Sequence, residues 1–179
     1  NWTGSALRGR TAYPPLPDED TENRIYHLTR NFLKSQGYER YEISNYAKPG
    51  SECRHNCGYW TRKDYLGLGL GASSLVGHQR FQNTSDLKEY LEQEYHHIHT
   101  ETLDKKSEME EFMFLGLRLM TGISRQQFEK TFQVTLDSVY GEVLRKLKSE
   151  QLIEEVAGYV RLTEHGIDVS NYVLSEFLL

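Results

Sequence analysis

The chain has 179 residues, 37% of them hydrophobic and 26% charged. That length supports one or two domains with a sizeable core, and no stretch reaches the roughly 18 consecutive apolar residues that a membrane-spanning helix needs. Twenty-one basic and 26 acidic side chains give a net charge of −5, which opposes sequence-independent binding to nucleic acid or to anionic membranes. The first residues carry no basic stretch leading into an apolar one, so no secretory signal is read. Two cysteines make no disulfide framework, and a cytoplasmic location is expected. The chain opens on Asn1 and reads as a piece of something longer.

Residues 11–16 hold two prolines and cannot be helical. Asp18, Glu19 and Asp20 supply negative charge where a helix starts. Ile25, Leu28, Phe32 and Leu33 follow at helical spacing, and Gly37 ends the segment. Tyr38 to Ile43 alternates as a strand, with a loop at residues 45–50. Tyr65 to Val76 is apolar and glycine-rich, which predicts a strand with a tight turn, and Arg80 to Gln82 is its expected partner. Residues 85–95 read as a charged helix. Helix followed by strand, repeated once in weaker form, suggests α/β architecture.

The pattern changes near residues 100–106. Residues 1–106 carry 14 basic and 14 acidic side chains, whereas residues 107–179 carry 7 and 12. Ser107 with Glu110 forms a capping box, and Met109, Phe112, Met113, Gly116 and Met120 make one stripe that stops at Gly122. Ser124 with Gln127 opens a short helix around Phe128. A third helix carries Leu136, Tyr140, Val143, Leu144 and Leu147. Residues 152–153 and 159–162 flank Gly158 as a hairpin, and Thr163 starts a last helix. Three helices, a two-stranded wing and a closing helix predict a winged-helix-like unit. Its presumptive reading helix sets Arg145, Lys146 and Lys148 against Asp137, Glu142 and Glu150. With no basic face to offer phosphates, it reads as a structural cap or protein-contact unit rather than a DNA reader.

Four clusters carry chemistry. Cys53 and Cys57 lack the further ligands that zinc or an iron–sulfur cluster would need and read as free thiols. His96, His97 and His99 do not share one helix face and read as a solvated helix end. The run Gly67-Leu68-Gly69-Leu70-Gly71-Ala72 leaves one strand edge bare of side chains. It serves either a ligand lying on backbone groups or close packing of strand on helix. His55-Asn56-Cys57-Gly58-Tyr59-Trp60 joins an imidazole to two aromatic faces. That set suits a porphyrin, although on the residues alone a loop anchored by Tyr59 and Trp60 is the simpler reading.

Taken in order, residues 41–50, the motif His55-Asn56-x-x-Tyr59-Trp60 and residues 65–72 resemble the C-terminal half of the HemW-type heme chaperones, relatives of the oxygen-independent coproporphyrinogen III oxidases. The resemblance covers essentially the whole chain. It implies an open radical S-adenosylmethionine (β/α)6 barrel whose end, with the strands that follow it, occupies residues 1–100, and then a HemN-type winged-helix-like domain at residues 107–179. It implies heme held at His55, the candidate metal ligand, with Asn56, Tyr59 and Trp60 as pocket. It implies S-adenosylmethionine beside Gly69, Leu70, Gly71 and Ala72. A [4Fe–4S] cluster would sit on a C-x3-C-x2-C motif that this chain lacks, so the chain alone is expected to be inactive, and no catalytic residue is assigned to it. The implied partners are heme or a porphyrin, a heme-accepting protein, and a second copy meeting the cut barrel edge. The alternatives are an oxidase acting on coproporphyrinogen III and a non-enzymatic interaction module.

Overall fold

The computed structural model describes residues 16–92 and 97–179. The prolines expected to extend the chain and His96 lie outside the described residues. Asp18 accepts a hydrogen bond from the Thr21 amide at 2.8 Å and caps α1 (Glu19–Ser35), whose first turn is acidic. The face this helix turns inward differs from the expected one. Ile25, Leu28 and Phe32 are 51–64% exposed. Polar reach seats α1 instead: the Tyr26 hydroxyl donates to the Ile43 carbonyl at 3.0 Å, His27 meets Asp168 at 3.2 Å, and Arg30 meets Glu164 at 2.6 Å.

Strands β1 (Glu39–Glu42) and β2 (Asn45–Ala47) form an antiparallel hairpin, so the loop expected from residue 45 begins only after a second strand. The Glu42 carboxylate, fully buried, accepts hydrogen bonds from the Ser44 amide and the Asn45 side chain, and this closes the turn. A short helix, α2 (Arg54–Trp60), comes next. The expected strand at residues 65–76 shrinks to β3 (Ser73–Val76), with Tyr65 bridged to Leu75. Beyond it lie β4 (Gln79–Asn83), the short helix α3 (Leu87–Leu91) and β5 (His97–Thr102). The three strands form a sheet in the order β3-β4-β5. As expected, Arg80 to Gln82 pairs with the preceding strand. His97 and His99 sit on β5 and not at a helix end, because pairing of His97 with Asn83 draws them into the sheet.

Helix α4 (Lys105–Gly116) starts before the expected Ser107 cap, since Asp104 accepts from the Ser107 amide at 2.7 Å. It also stops at Gly116, short of Met120. The chain there turns to lie along β1, with Ile43 N–H donating to Arg118 O at 3.0 Å and Met120 N–H to Tyr41 O at 3.1 Å. The remaining elements are β6 (Ile123–Ser124), α5 (Arg125–Phe132), α6 (Leu136–Ser149), β7 (Ile153–Val156), β8 (Tyr159–Leu162), α7 (Glu164–Asp168) and α8 (Ser170–Ser175). Ser124 and Thr163 cap their helices as expected, but the last helix is broken at Val169. The strands join in the order β6-β8-β7.

The buried core is concentrated in this second part, where Met113, Leu117, Phe128, Leu147, Val160 and Phe177 show no exposed surface. Tyr26 and Ile43 pack against it from the first part. The molecule mixes helices and sheets, and every pair of named strands is antiparallel. Parallel neighbours, which a β/α barrel requires, are absent from these pairs. The cations on α5, α6 and β8 are largely neutralised: Arg125 by Asp137 and Glu155, Lys146 by Glu176, Lys148 by Glu155, and Arg161 by Glu154.

Candidate functional site

The motif of residues 55–60 lies on a helix and not in the expected loop. Nothing local makes α2 stable. Cys53 caps it without a side-chain hydrogen bond, none of its residues is buried, and Gly58 sits inside it. Its end is firmer: Thr61 Oγ1 donates to Cys57 O at 2.7 Å, and Arg62 takes a left-handed conformation with φ of 52°.

Helical spacing divides the motif between two faces. Residues 55 and 59 stand one turn apart on the outer face. There the His55 and Tyr59 rings meet edge-on with centroids 4.6 Å apart, and Tyr59 meets Tyr65 in the same manner at 4.6 Å. Residues 56 and 60 share the inner face. Asn56 Nδ2 approaches the Tyr41 hydroxyl at 3.4 Å, and Trp60 lies under the Arg118 guanidinium at 4.4 Å. His55 is exposed and the Trp60 ring is half-buried. The structure therefore brings His55 and Tyr59 together and turns Asn56 and Trp60 to anchoring. The indole Nε1 is buried without a hydrogen-bond partner.

Two clamps from neighbouring elements fix α2 on its inner side. The first runs from Trp60 through Arg118 to Glu42, whose carboxylate is 3.5 Å from the guanidinium. The second is built on Arg62, which pairs with Glu111 at 3.0 Å and Glu108 at 3.2 Å. These carboxylates in turn hold Arg80 and His78. Sequence reasoning missed Arg62, Glu108, Glu111 and Arg118, because their significance lies in pairings 46 to 76 residues apart. The i,i+4 spacing of 55 with 59 and of 56 with 60 is the signal that would have separated the motif's faces.

The glycine run is a loop and not the bare strand edge expected of it. Gly69 and Gly71 have φ of +104° and +66°, where a side chain would be strained. Its backbone is already hydrogen-bonded. Asn83 Nδ2 donates to Gly67 O at 3.2 Å and Gly69 O at 2.8 Å, and Gln82 Nε2 donates to Gly71 O at 2.9 Å. Gly71 N–H is taken by Thr84 O, while Ala72 O accepts from Asn83 N–H. Leu68 and Leu70 project outward, 85% and 46% exposed. Tyr65 leads into this loop, so the ring series His55–Tyr59–Tyr65 ends at its foot.

Cys53 is exposed, Cys57 is half-buried, and both are free thiols. Burial pushes the Cys57 thiol up, which opposes a reactive thiolate. Two thiols fall short of the three that the cluster motif requires. Among the described residues no three His, Cys, Asp or Glu side chains converge as a metal site. Were heme bound here, the exposed His55 imidazole would be the nitrogen to hold its iron.

Residues 103–169 match the HemN C-terminal domain family. Heme chaperone HemW of Lactococcus lactis is 35% identical over 174 residues, covering 96% of this chain and 46% of that protein. The Bacillus subtilis HemW is 34% identical over 167 residues, covering 91% and 44%. The chain thus spans a little under half the length of these curated relatives. Among solved structures, the coproporphyrinogen III oxidase HemN from Escherichia coli, a radical SAM enzyme, aligns with a TM-score of 0.72 at 18% identity, covering 90% of this chain and 42% of that one. A likeness at that identity speaks for the fold alone. Residues 103–169 are thus similar to HemN C-terminal domains, and nearly all of the chain is similar to the HemW heme chaperones.

Proposed function

We propose that this chain is the heme-contacting and partner-facing part of a HemW-type heme chaperone. The observation that carries the proposal is the exposed His55 imidazole, held by Tyr59 on the outer face of a helix that is itself clamped from within. In this reading His55 supplies the nitrogen for heme iron and Tyr59 packs beside the macrocycle. Asn56 and Trp60 hold the helix in place, and Trp60 also lines a cavity with Phe112, Leu119 and Ile123. The likeness to proteins named heme chaperone supports the reading. Heme is here the cargo, and the protein's part is to present a ligand and an apolar ring face to it and to release the heme to an acceptor protein.

S-adenosylmethionine and the [4Fe–4S] cluster belong, in this reading, to the full-length protein, with the cluster and most of the barrel in the length of the relatives that this chain does not cover. Contacts from Gly69, Leu70, Gly71 and Ala72 to S-adenosylmethionine would then draw on the Leu70 backbone and on the second lone pairs of the Gly71 and Ala72 carbonyls, since the Gly69 carbonyl already accepts from both Asn83 Nδ2 and Ala72 N–H. We assign residues 1–100 to the barrel's end and the strands that follow it, and residues 107–179 to a winged-helix-like domain. The order of three helices and a small antiparallel sheet supports the second assignment.

The test is titration of hemin into the wild-type chain, His55→Ala and Tyr59→Ala, with the Soret band followed. His55→Ala is expected to lose the ligated spectrum, and Tyr59→Ala to weaken binding while keeping it. Identical spectra for wild type and His55→Ala overturn the assignment. Turnover of coproporphyrinogen III by the cluster-containing full-length protein would favour the oxidase reading instead.

A further inference from the structure

A cavity lies away from α2, between α1, the β1–β2 hairpin and the β8–α7 junction. Its most buried charged group is a cation. The Arg40 side chain is only 6% exposed. Its Nη1 donates to the Tyr26 hydroxyl at 2.8 Å and its Nη2 to Glu164 at 2.8 Å, but its Nε–H is buried with no partner. The Tyr46 hydroxyl, from the residue paired with Arg40 across the hairpin, is likewise buried without a partner and lines the same cavity. Lys34 on the wall forms no ion pair among the described residues. Glu39 and the Arg161–Glu154 pair complete the charged lining.

Two unmade hydrogen bonds at the base of one cavity are costly unless something fills them. An arginine presents Nε and Nη2 as a matched pair of donors to a planar or tetrahedral oxyanion. At Arg40 only half of that pair is used. Glu164 takes Nη2 with one carboxylate oxygen and spends the other on Arg30, 2.6 Å away. Glu164 is also the accessible member of the trio, with 55% of its side chain exposed, so it can leave for water at little cost. It occupies the place of an oxyanion without satisfying the deepest donors.

We propose that this cavity binds a small oxyanion, carboxylate or phosphate, on the Nε–Nη2 edge of Arg40 and the Tyr46 hydroxyl, with displacement of the Glu164 carboxylate. The site is independent of the heme reading. It makes an unusual demand on its variants: removing the resident carboxylate strengthens binding, whereas altering the arginine or the hydroxyl weakens it.

The experiment is calorimetric titration of the chain with inorganic phosphate and, separately, with citrate, at an ionic strength fixed by sodium chloride. Saturable binding of at least one is expected. Glu164→Gln should bind about fivefold more tightly, Tyr46→Phe severalfold more weakly, and Arg40→Lys at least tenfold more weakly. Circular dichroism checks that each variant is folded, and Tyr46→Phe carries the test should Arg40→Lys fail to fold. Binding of phosphate alone assigns a phosphoryl group, and binding of citrate alone a carboxylate. No binding beyond that of chloride, or Glu164→Gln binding no more tightly than wild type, overturns the proposal.

Discussion

Arg118 places its guanidinium 4.4 Å from the centroid of the Trp60 ring while pointing Nη2 at the buried carboxylate of Glu42, 3.5 Å away. One side chain from the segment after α4 thus positions the end of the motif helix and balances a charge that water does not reach. Arg118→Ala removes the cation–π contact and leaves Glu42 with only the Ser44 and Asn45 donors. A loss of about 2 kcal/mol is expected. Trp60 fluorescence should shift to the red as the indole gains water. Denaturant melts unchanged from wild type would sink this account of how α2 is held.

Much of the fold is legible in the sequence where the cause is local. Asp18, Ser124 and Thr163 announce helix starts because a side-chain oxygen satisfies an amide two or three residues on. The core stripe Leu136, Tyr140, Leu144 and Leu147 of α6 is legible because its period matches the helix. The site is less so. Helix α2 is seven residues with a glycine and no capping side chain, and its stability comes from Arg118 and Arg62 docking on distant carboxylates. The glycine run gives away its turns but not its closure, since Asn83 and Gln82 reach it from another strand. Helix α1 misleads most, because its apolar stripe points out and its inward contacts are made by Tyr26, His27 and Arg30.

The two glycines nearest the motif should respond oppositely to alanine. At Gly67 a Cβ would stand 2.2 Å from the Ser73 carbonyl oxygen, so backbone must move, and a cost of about 2 kcal/mol is expected. At Gly58, inside α2, a Cβ meets nothing within 4 Å. Gly58→Ala should therefore stabilise the helix by roughly 0.5–1 kcal/mol. If α2 presents His55 as proposed, the same variant should bind hemin at least as well as wild type. A destabilised Gly58→Ala would mean that the helix interior is not open as described.

Tyr140 carries an unmade hydrogen bond into the core. Its ring packs between Phe128 and Phe177, with centroids 6.1 Å and 5.4 Å away, and its hydroxyl is buried without a partner. Burial pushes its ionisation well above the ordinary tyrosine range. Tyr140→Phe keeps the ring and deletes the stranded hydroxyl, so it should raise stability by about 1 kcal/mol. A urea melt reads this as a higher midpoint at unchanged slope. A lower midpoint would show that the hydroxyl is satisfied in solution.

Acid should weaken the second part of the chain through Glu155. Its carboxyl is held below its ordinary value of 4.5, first by the hydrogen bond from Lys148 and then by that from Arg125. The folded state therefore gives up this proton more readily than the unfolded state does. The stabilisation is complete above the unfolded value and drains away as pH falls through the lowered folded one. Partial exposure limits the contribution to no more than about 1 kcal/mol. Glu155→Gln cannot titrate, so the wild-type advantage over it should be greatest above about pH 5 and shrink towards zero in stronger acid. Asp18 and Asp104, lowered by hydrogen bonds at their helix starts, titrate equally in both proteins and cancel from the comparison. A wild-type advantage that stays constant down the acid range would mean that Glu155 acts through packing of its side chain and not through its charge.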